Sequence, residues 1–376
     1  MNTLGGDPGQ HFARNSVKAL FARAITFQIT NDNWEGEISG GRGDRVNILT
    51  FGEVPWNDYT GADITFADIP EYAGQLVLTK QRWNGFRILN WDRFKAYATD
   101  PESQEMNIRV NSMKREIDQF NLGYYSSAAK RNIFGTDYTT GTVTVDASGN
   151  VTGSGTTFTS AMVGGGFFAT GMTNWARVKT FTNTTSIVLE DDLDDVSSQY
   201  TSGAATAGST YTLRYTTLIT ANNTAGDASN IDTIVLGLKE RLDQEFTDAA
   251  GTSGVVCPSE DRFLVIPSHL ESLLLQNQML TPYTPKAYEE TVRQGIVGYF
   301  RGFKVFKSER LTGDSTNGYH IIAGHPMAIT HAYVPLGGST VGDLQANFGK
   351  GFKQLVAYGS KVLDTRKYLL ATALVK

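Results

Sequence analysis

The chain reads as an α+β protein in which strands outnumber helices, and three observations predict this. A glycine-marked extended run, Glu35 to Val54, leads into further β-like segments. An apolar stripe then steps by four and three through Met106, Val110, Met113, Ile117, Phe120 and Tyr124, the spacing of a helix packed along one seam. Past a Thr/Ser/Gly-rich stretch that is poor in charge, helix-like and strand-like segments alternate to the C-terminus.

Taken in order, residues 1–34 read as an N-terminal arm with one short helical piece over Ser16 to Thr26. Residues 35–95 read as a long hairpin and its base. Arg45 to Phe51 alternates as a half-exposed strand does, Thr60-Gly61-Ala62-Asp63 marks a turn, and Gln75 to Trp83 is a second strand continued by Gly85 to Leu89. Aromatic residues on a protruding hairpin call for a partner surface. Trp34, Trp56, Tyr59 and Trp83 are therefore candidate inter-subunit contacts, with Arg45, Arg115 and Glu116 beside them in the candidate set. Arg42-Gly43-Asp44 is a three-residue match to an integrin-binding triplet; a tight turn at Gly40-Gly41 accounts for it better.

Residues 96–136 hold the rod. Asp100 suits the N-cap and Pro101 the first helical position, and Glu102 and Glu105 face the positive end of the helix dipole. A helix from 101 to about 130 would be roughly 45 Å long. Residues 137–215 carry short β runs at Thr142–Val145, Gly166–Ala169, Arg177–Phe181, Ser186–Leu189 and Thr210–Leu213. Short, evenly spaced strands separated by turns such as Asp146–Asn150 predict a small sandwich or barrel. The α/β pattern resumes after it, so this segment reads as an insertion.

In residues 216–345, Ile231, Ile234, Val235, Leu238, Leu242 and Phe246 form a helical face capped by Ser229 or Asn230. Arg262 to Ile266 is a buried strand, and Pro267-Ser268 opens a helix with Leu270, Leu273, Leu274 and Leu275. Gly295 to Phe306 reads as two strands bent at Arg301-Gly302, and Tyr319 to Ala323 as another. Residues 346–376 close with β runs at Gln354–Tyr358 and Tyr368–Val375.

Composition bounds the function. With 376 residues there is room for two or three compact units. A net charge of −5 lacks the broad basic patch of a dedicated nucleic-acid binder. Lys350 to Lys376 is locally basic and reads either as facing nucleic acid or an acidic neighbour, or as a solvated strand edge. Cys257 is the single cysteine, so no intrachain disulfide forms; its flanks make it a small buried hydrophobe, and a reducing compartment is the natural reading. No apolar run of about 18 residues predicts a membrane span, and the N-terminus lacks a signal-peptide layout.

No catalytic motif stands out: no Gly-x-Ser-x-Gly elbow, Walker loop or dinucleotide fingerprint is present, and Gly164-Gly165-Gly166 reads as a turn or bulge. His320, His325 and His331 lack ligand spacing on a helix. Asp191, Asp192, Asp194 and Asp195 are weak candidates for a Ca²⁺ site, since clustered oxygens suit that ion, but they do not follow the calcium-loop pattern. The expectation is a protein that is not an enzyme and uses no cofactor.

The order of parts resembles the major capsid protein of tailed double-stranded-DNA bacteriophages, the Hong Kong 97 type fold. Asn33-Trp-Glu-Gly-Glu-Ile and then Gly43-Asp-Arg-Val-Asn-Ile resemble the start of that family's extended loop. Gly295 to Phe306 resembles the axial-domain hairpin, and Tyr358-Gly359-Ser-Lys-Val-Leu its C-terminal exit. The resemblance covers about residues 30 to 135 and 216 to 376. It implies an arm (1–34), an extended loop with its base (35–95), a spine helix of a peripheral domain (96–136), an inserted β domain (137–215), an axial domain (216–345) and returning C-terminal strands (346–376). It also implies self-assembly into pentamers and hexamers that enclose double-stranded DNA, touched without sequence preference. A portal and a decoration protein are further implied partners, no membrane is involved, and the location is the virion capsid, assembled in host cytoplasm.

Two departures matter. Arg45 to Thr79 contains no lysine and Lys80 sits near the loop's base, which argues against the covalent crosslink of some relatives. Only a short arm precedes the loop, which favours a separate scaffolding protein. The other readings open at this point are a tail or decoration protein of a virion, and a carbohydrate-binding or glycoside-cleaving protein.

Overall fold

A computed structural model of the chain describes residues 24–33, 45–51, 66, 68, 71–89, 101–131, 137–173, 175–191, 200–245, 256–276, 296–343 and 348–376. The expected helix at Ser16 to Thr26 lies mostly outside them, as do Gly40 to Asp44 and the turn at Thr60 to Asp63.

The elements in chain order begin with a one-turn helix α1 (Thr26–Ile29), then β1 (Arg45–Phe51), β2 (Glu71–Val77), β3 (Lys80–Leu89) and α2 (Pro101–Leu122). Next come β4 (Thr142–Val145), β5 (Asn150–Ser154), β6 (Gly166–Ala169), β7 (Ala176–Asn183), β8 (Ser186–Glu190), β9 (Ala205–Ser209) and β10 (Tyr211–Arg214). The chain continues through β11 (Leu218–Ile219), α3 (Ile231–Asp243), β12 (Phe263–Ile266), α4 (Ser268–Gln276), β13 (Ile296–Phe300) and β14 (Phe303–Lys307). It closes with β15 (Gly313–Asp314), β16 (Gly318–Gly324), β17 (Ile329–Asp343), β18 (Gly349–Val362) and β19 (Leu370–Val375). The fold is mixed α+β and mostly strand.

β4 to β10 form a sheet in the order β10-β6-β7-β8-β5-β4-β9. Its two end strands, β9 and β10, are joined through Thr210 alone, and the sheet packs around its own core of Val143, Val151, Phe158, Phe167, Ile187 and Leu213. The short β runs thus form one all-β unit with its own core, in which no ladder joins β9 to β10 among the described residues. A second sheet runs β11-β19-β16-β12-β14-β13 and packs against α3 and α4 through Ile234, Val235, Leu238, Leu270 and Leu274. The five expected face positions Ile231, Ile234, Val235, Leu238 and Leu242 are buried while Leu236 is exposed, and the Asn230 side chain caps α3 by accepting from the Asp232 N–H at 2.8 Å. Phe246 lies beyond the helix and outside the described residues.

β13 and β14 meet in a turn where Arg301 (φ 49°) and Gly302 (φ 91°) both take the left-handed region, the requirement of a tight two-residue hairpin. Glycine adopts it freely; Arg301 is held there by a bidentate pair with Asp232 at 2.7 Å and 2.7 Å, on the first turn of α3.

The rod is shorter than the sequence suggests. α2 ends at Leu122 and tightens into a 3₁₀ turn over Gly123–Ser127, leaving a helix of roughly 33 Å. Gly123 is a weak helix former. Just beyond it Tyr124 is fully buried, its hydroxyl donating to the Ser360 carbonyl at 2.5 Å. Ala128 is extended (φ −64°, ψ 126°), so the chain leaves the helix direction.

The strand expected from Gln75 through Trp83 also breaks. Residues 78–79 separate β2, which pairs with β1, from β3, which pairs with β18. Leu78 turns into the core beside Val46, Ile48 and Leu76. At Gly359 of β18 a Cβ would collide with the Val77 carbonyl, so only glycine lets the two strands cross this closely.

Candidate subunit-contact surface

The third sheet, β17-β18-β3, carries Trp83 and packs against β1, which holds Arg45, and α2, which holds Arg115 and Glu116. Side chains on a strand alternate between faces, and both faces of this sheet are apolar. Ala332, Val334 and Ala357 face Val46, Ile48, Leu76 and Leu78 at the base of the β1–β2 hairpin. Tyr333, Val356 and Tyr358 face Val110 and Ile117 of α2, together with Ala24. The sheet is thus the middle of three layers, with the hairpin base on one side and the long helix on the other. From Val110 onward the predicted stripe is the sheet-facing side of α2: Val110 and Ile117 are buried, and Met113 and Phe120 pack against the same cluster.

A buried polar chain ties the layers together. Thr26 of α1 donates to Asp118 Oδ1 through its N–H (3.0 Å) and its hydroxyl (2.8 Å). Asn121 Nδ2, one turn on, donates to the Ile117 carbonyl at 3.1 Å. Ser360 Oγ donates to Asn121 Oδ1 at 2.5 Å, and His331 Nδ1 lies 2.8 Å from Ser360 Oγ. Because the Ser360 proton goes to Asn121, the imidazole N–H must sit on Nδ1. Nε2 is then a bare acceptor with no partner among the described residues.

Burial pushes His331 down to about 3, outweighing the Gly359 backbone bond that favours the proton. Burial likewise raises Asp118, against the hydrogen bonds from Thr26 that lower it. A serine beside a histidine invites a nucleophile–base reading. Here the hydroxyl points its proton away from the imidazole and both residues are buried, so the pair is a structural joint.

The β4–β10 unit is fixed to the rest of the chain by cations. Arg131 donates from Nε to the Ala128 carbonyl (2.7 Å) and from Nη1 to the Gly164 carbonyl (2.5 Å). Arg177 pairs with Glu190 and reaches Ser126 Oγ at 3.2 Å. Tyr125 stacks on His320 at 3.9 Å between ring centres, and burial, with Arg131 nearby, pushes that imidazole down to about 4. Lys130, nearly buried, donates to the Leu242 and Gln244 carbonyls at 3.1 Å and 2.8 Å. It closes the C-terminus of α3, where a cation suits the helix dipole, and burial lowers it to about 8. Cys257 is buried in the core between the second sheet and α3 and α4, where desolvation raises its thiol, in keeping with an inert small hydrophobe.

The candidate residues fall in different places. Trp34, Trp56 and Tyr59 lie outside the described residues. Trp83 on β3 is 78% exposed, and its cross-strand partner Leu355 is 38% exposed. Arg45 is exposed at the start of β1. Glu116 is engaged within the chain, paired with Arg82 at 2.5 Å, while Arg115 is exposed on the side of α2 away from the sheet. Lys80 lies 5.7 Å over the Phe120 ring.

Asp191 accepts from Thr201 N–H (2.6 Å) and Ser202 Oγ (2.6 Å), closing its loop, and Asp192, Asp194 and Asp195 lie outside the described residues. The histidines are dispersed: His320 stacks on Tyr125, His325 Nδ1 accepts from the Met327 N–H at 3.2 Å, and His331 belongs to the joint. Among the described residues no cluster of His, Cys, Asp or Glu could hold a metal, and no helix is long and apolar enough to cross a membrane. Sequence reasoning missed Thr26, Asp118, Asn121 and Ser360; polar residues interrupting the flanks of the apolar stripe at 118 and 121 were the available signal.

No family model matches the sequence, and no curated protein matches it. Among solved structures, the chain is similar to one of Mycobacterium phage Che8, with a TM-score of 0.49 and 12% identity over 93% of this chain and 91% of that one. It is similar to the capsid structure of the cyanophage P-SCSP1u, with a TM-score of 0.47 and 12% identity over 92% of this chain and 85% of that one. It is similar also to the mature capsid of bacteriophage PhiM1, with a TM-score of 0.46 and 12% identity over 89% of this chain and 83% of that one.

Proposed function

We propose that this chain is the major capsid protein of a tailed double-stranded-DNA phage, a structural subunit that assembles with copies of itself into pentamers and hexamers around the genome. The three-layer platform carries the reading. A sheet of 15- and 14-residue strands is clamped between a long helix and the base of a hairpin whose two strands lead away to residues 52–70. Such a platform holds the base of the hairpin rigidly, as a tile that must reach its neighbour needs. Each contact is modest, but closure multiplies it, so assembly is cooperative.

In this reading the sheet, α2 and the hairpin make the peripheral domain and its extended loop, which takes β17 out of the 216–345 stretch expected to be axial. β11 to β16, with α3, α4 and β19, make the axial domain, and the β4–β10 unit is an insertion. A separate scaffolding protein directs assembly, and a portal and a decoration protein complete the head. Electron microscopy of the purified chain, alone and with a co-expressed scaffold, tests it. Closed shells or capsomer rings are expected; discrete monomers in both samples would refute it.

A further inference from the structure

A cleft of about 490 Å³ opens on the side of α2 that faces away from the sheet. Residues 108, 111, 115 and 118 share that side, three to four positions apart and opposite the Val110–Ile117 stripe. Across the cleft stands the turn after β14. Ile25, Ile108, Lys114, Arg115, Lys307 and Arg310 line it, with the carboxylates of Asp118 and Glu309.

Its charge is not balanced internally. Asp118 is occupied by Thr26, and Glu309 accepts from the Ser268 N–H at 2.6 Å at the start of α4, which lowers it. Lys307 pairs with Glu271 at 2.8 Å. Arg115 and Arg310 are exposed and have no ion pair among the described residues. The cleft also has an apolar wall: Ile108 is 60% exposed in mid-helix, above the buried Ile25. A nucleic-acid backbone would satisfy the guanidiniums but leave Ile108 in water. A carboxylate side chain with an apolar neighbour uses both.

We propose that this cleft binds an acidic, amphipathic peptide segment of a partner protein, carboxylates on Arg115 and Arg310 and an apolar side chain on Ile108. The inference concerns the unassembled subunit and holds independently of the shell it builds. The test is fluorescence anisotropy of the intact chain with a fluorescein-labelled helical peptide of Glu and Leu, beside its Gln-for-Glu counterpart and a DNA duplex as competitor. Saturable binding is expected. Arg115→Glu with Arg310→Glu, and separately Ile108→Ser, should each weaken it about tenfold, and the Gln peptide should bind correspondingly worse. Arg115→Gln covers the case in which double reversal perturbs folding, read by circular dichroism.

Unchanged affinity in the folded variants, or no saturable binding by the wild-type chain, would overturn the proposal. So would displacement by duplex that ignores Ile108→Ser, which would assign the cleft to phosphates. Electron microscopy of the same samples separates this outcome from that of the capsid reading, because shells that form without peptide binding sink only the cleft.

Discussion

Acid should loosen this protein well before most of its carboxylates titrate, and two imidazoles set the size of the effect. His331 is fully buried and its ordinary value of 6.5 falls to about 3; His320, partly buried under Tyr125, falls to about 4. Between the folded and unfolded values the unfolded chain binds the extra proton, so stability drops as pH falls through that window. From about pH 7 to about pH 5, His331 removes about 2 kcal/mol and His320, partly solvated, about 1 kcal/mol.

The groups facing His331 are Ser360, Asn121 beyond it, the Gly359 backbone and the Phe27 ring, none of them an anion that would hold the proton. Arg131 near His320 adds repulsion. Asp118 works the other way, since a raised carboxyl gains its proton in the folded state first. Glu309, Asp227 and Asp314 are lowered and cost stability only as pH falls through the ordinary carboxylate range and below. Urea unfolding of the purified chain at both pH values measures the loss, expected at about 3 kcal/mol. His331→Gln with His320→Gln should flatten most of it. An undiminished pH dependence in that double variant would refute the assignment.

Ile117→Ala empties the centre of the helix–sheet layer and should cost about 2–5 kcal/mol in chemical denaturation. Ser360→Ala leaves Asn121 and His331 without their shared hydroxyl and should cost about 1–3 kcal/mol by the same measurement. Gly359→Val should uncouple β2 from β18 and be read as lost solubility or a melting point several degrees lower, because its side chain collides with the Val77 carbonyl. Trp56→Ala with Tyr59→Ala should leave a folded subunit by circular dichroism that assembles poorly by electron microscopy; normal shells would remove the loop from the contact.

Much of the secondary structure was legible because it rests on local periodicity. The stripe from Val110 to Tyr124, the face from Ile231 to Leu242 and the run Phe263 to Ile266 each announce which side is buried before any partner is known. The helix end at Leu122 was not legible. Gly123 is a weak signal on its own, and what stops the helix is the docking of Tyr124 on Ser360, a residue far along the chain. The break at Leu78-Thr79 was hidden for the same reason: the apolar pattern runs through it, and only the crossing at Gly359 shows why the strand must change sheets.

By itself, the sequence determined the element types, the inert setting of the lone cysteine and the lack of a catalytic motif, since those follow from spacing and composition. Only the tertiary structure decided that β3 joins β17 and β18 between two apolar layers, that β4 to β10 line up in the order β10-β6-β7-β8-β5-β4-β9, and that Thr26, Asp118, Asn121, His331 and Ser360 meet. Those contacts join residues from both ends of the chain. Their energies come from excluding water around groups that no local pattern brings together.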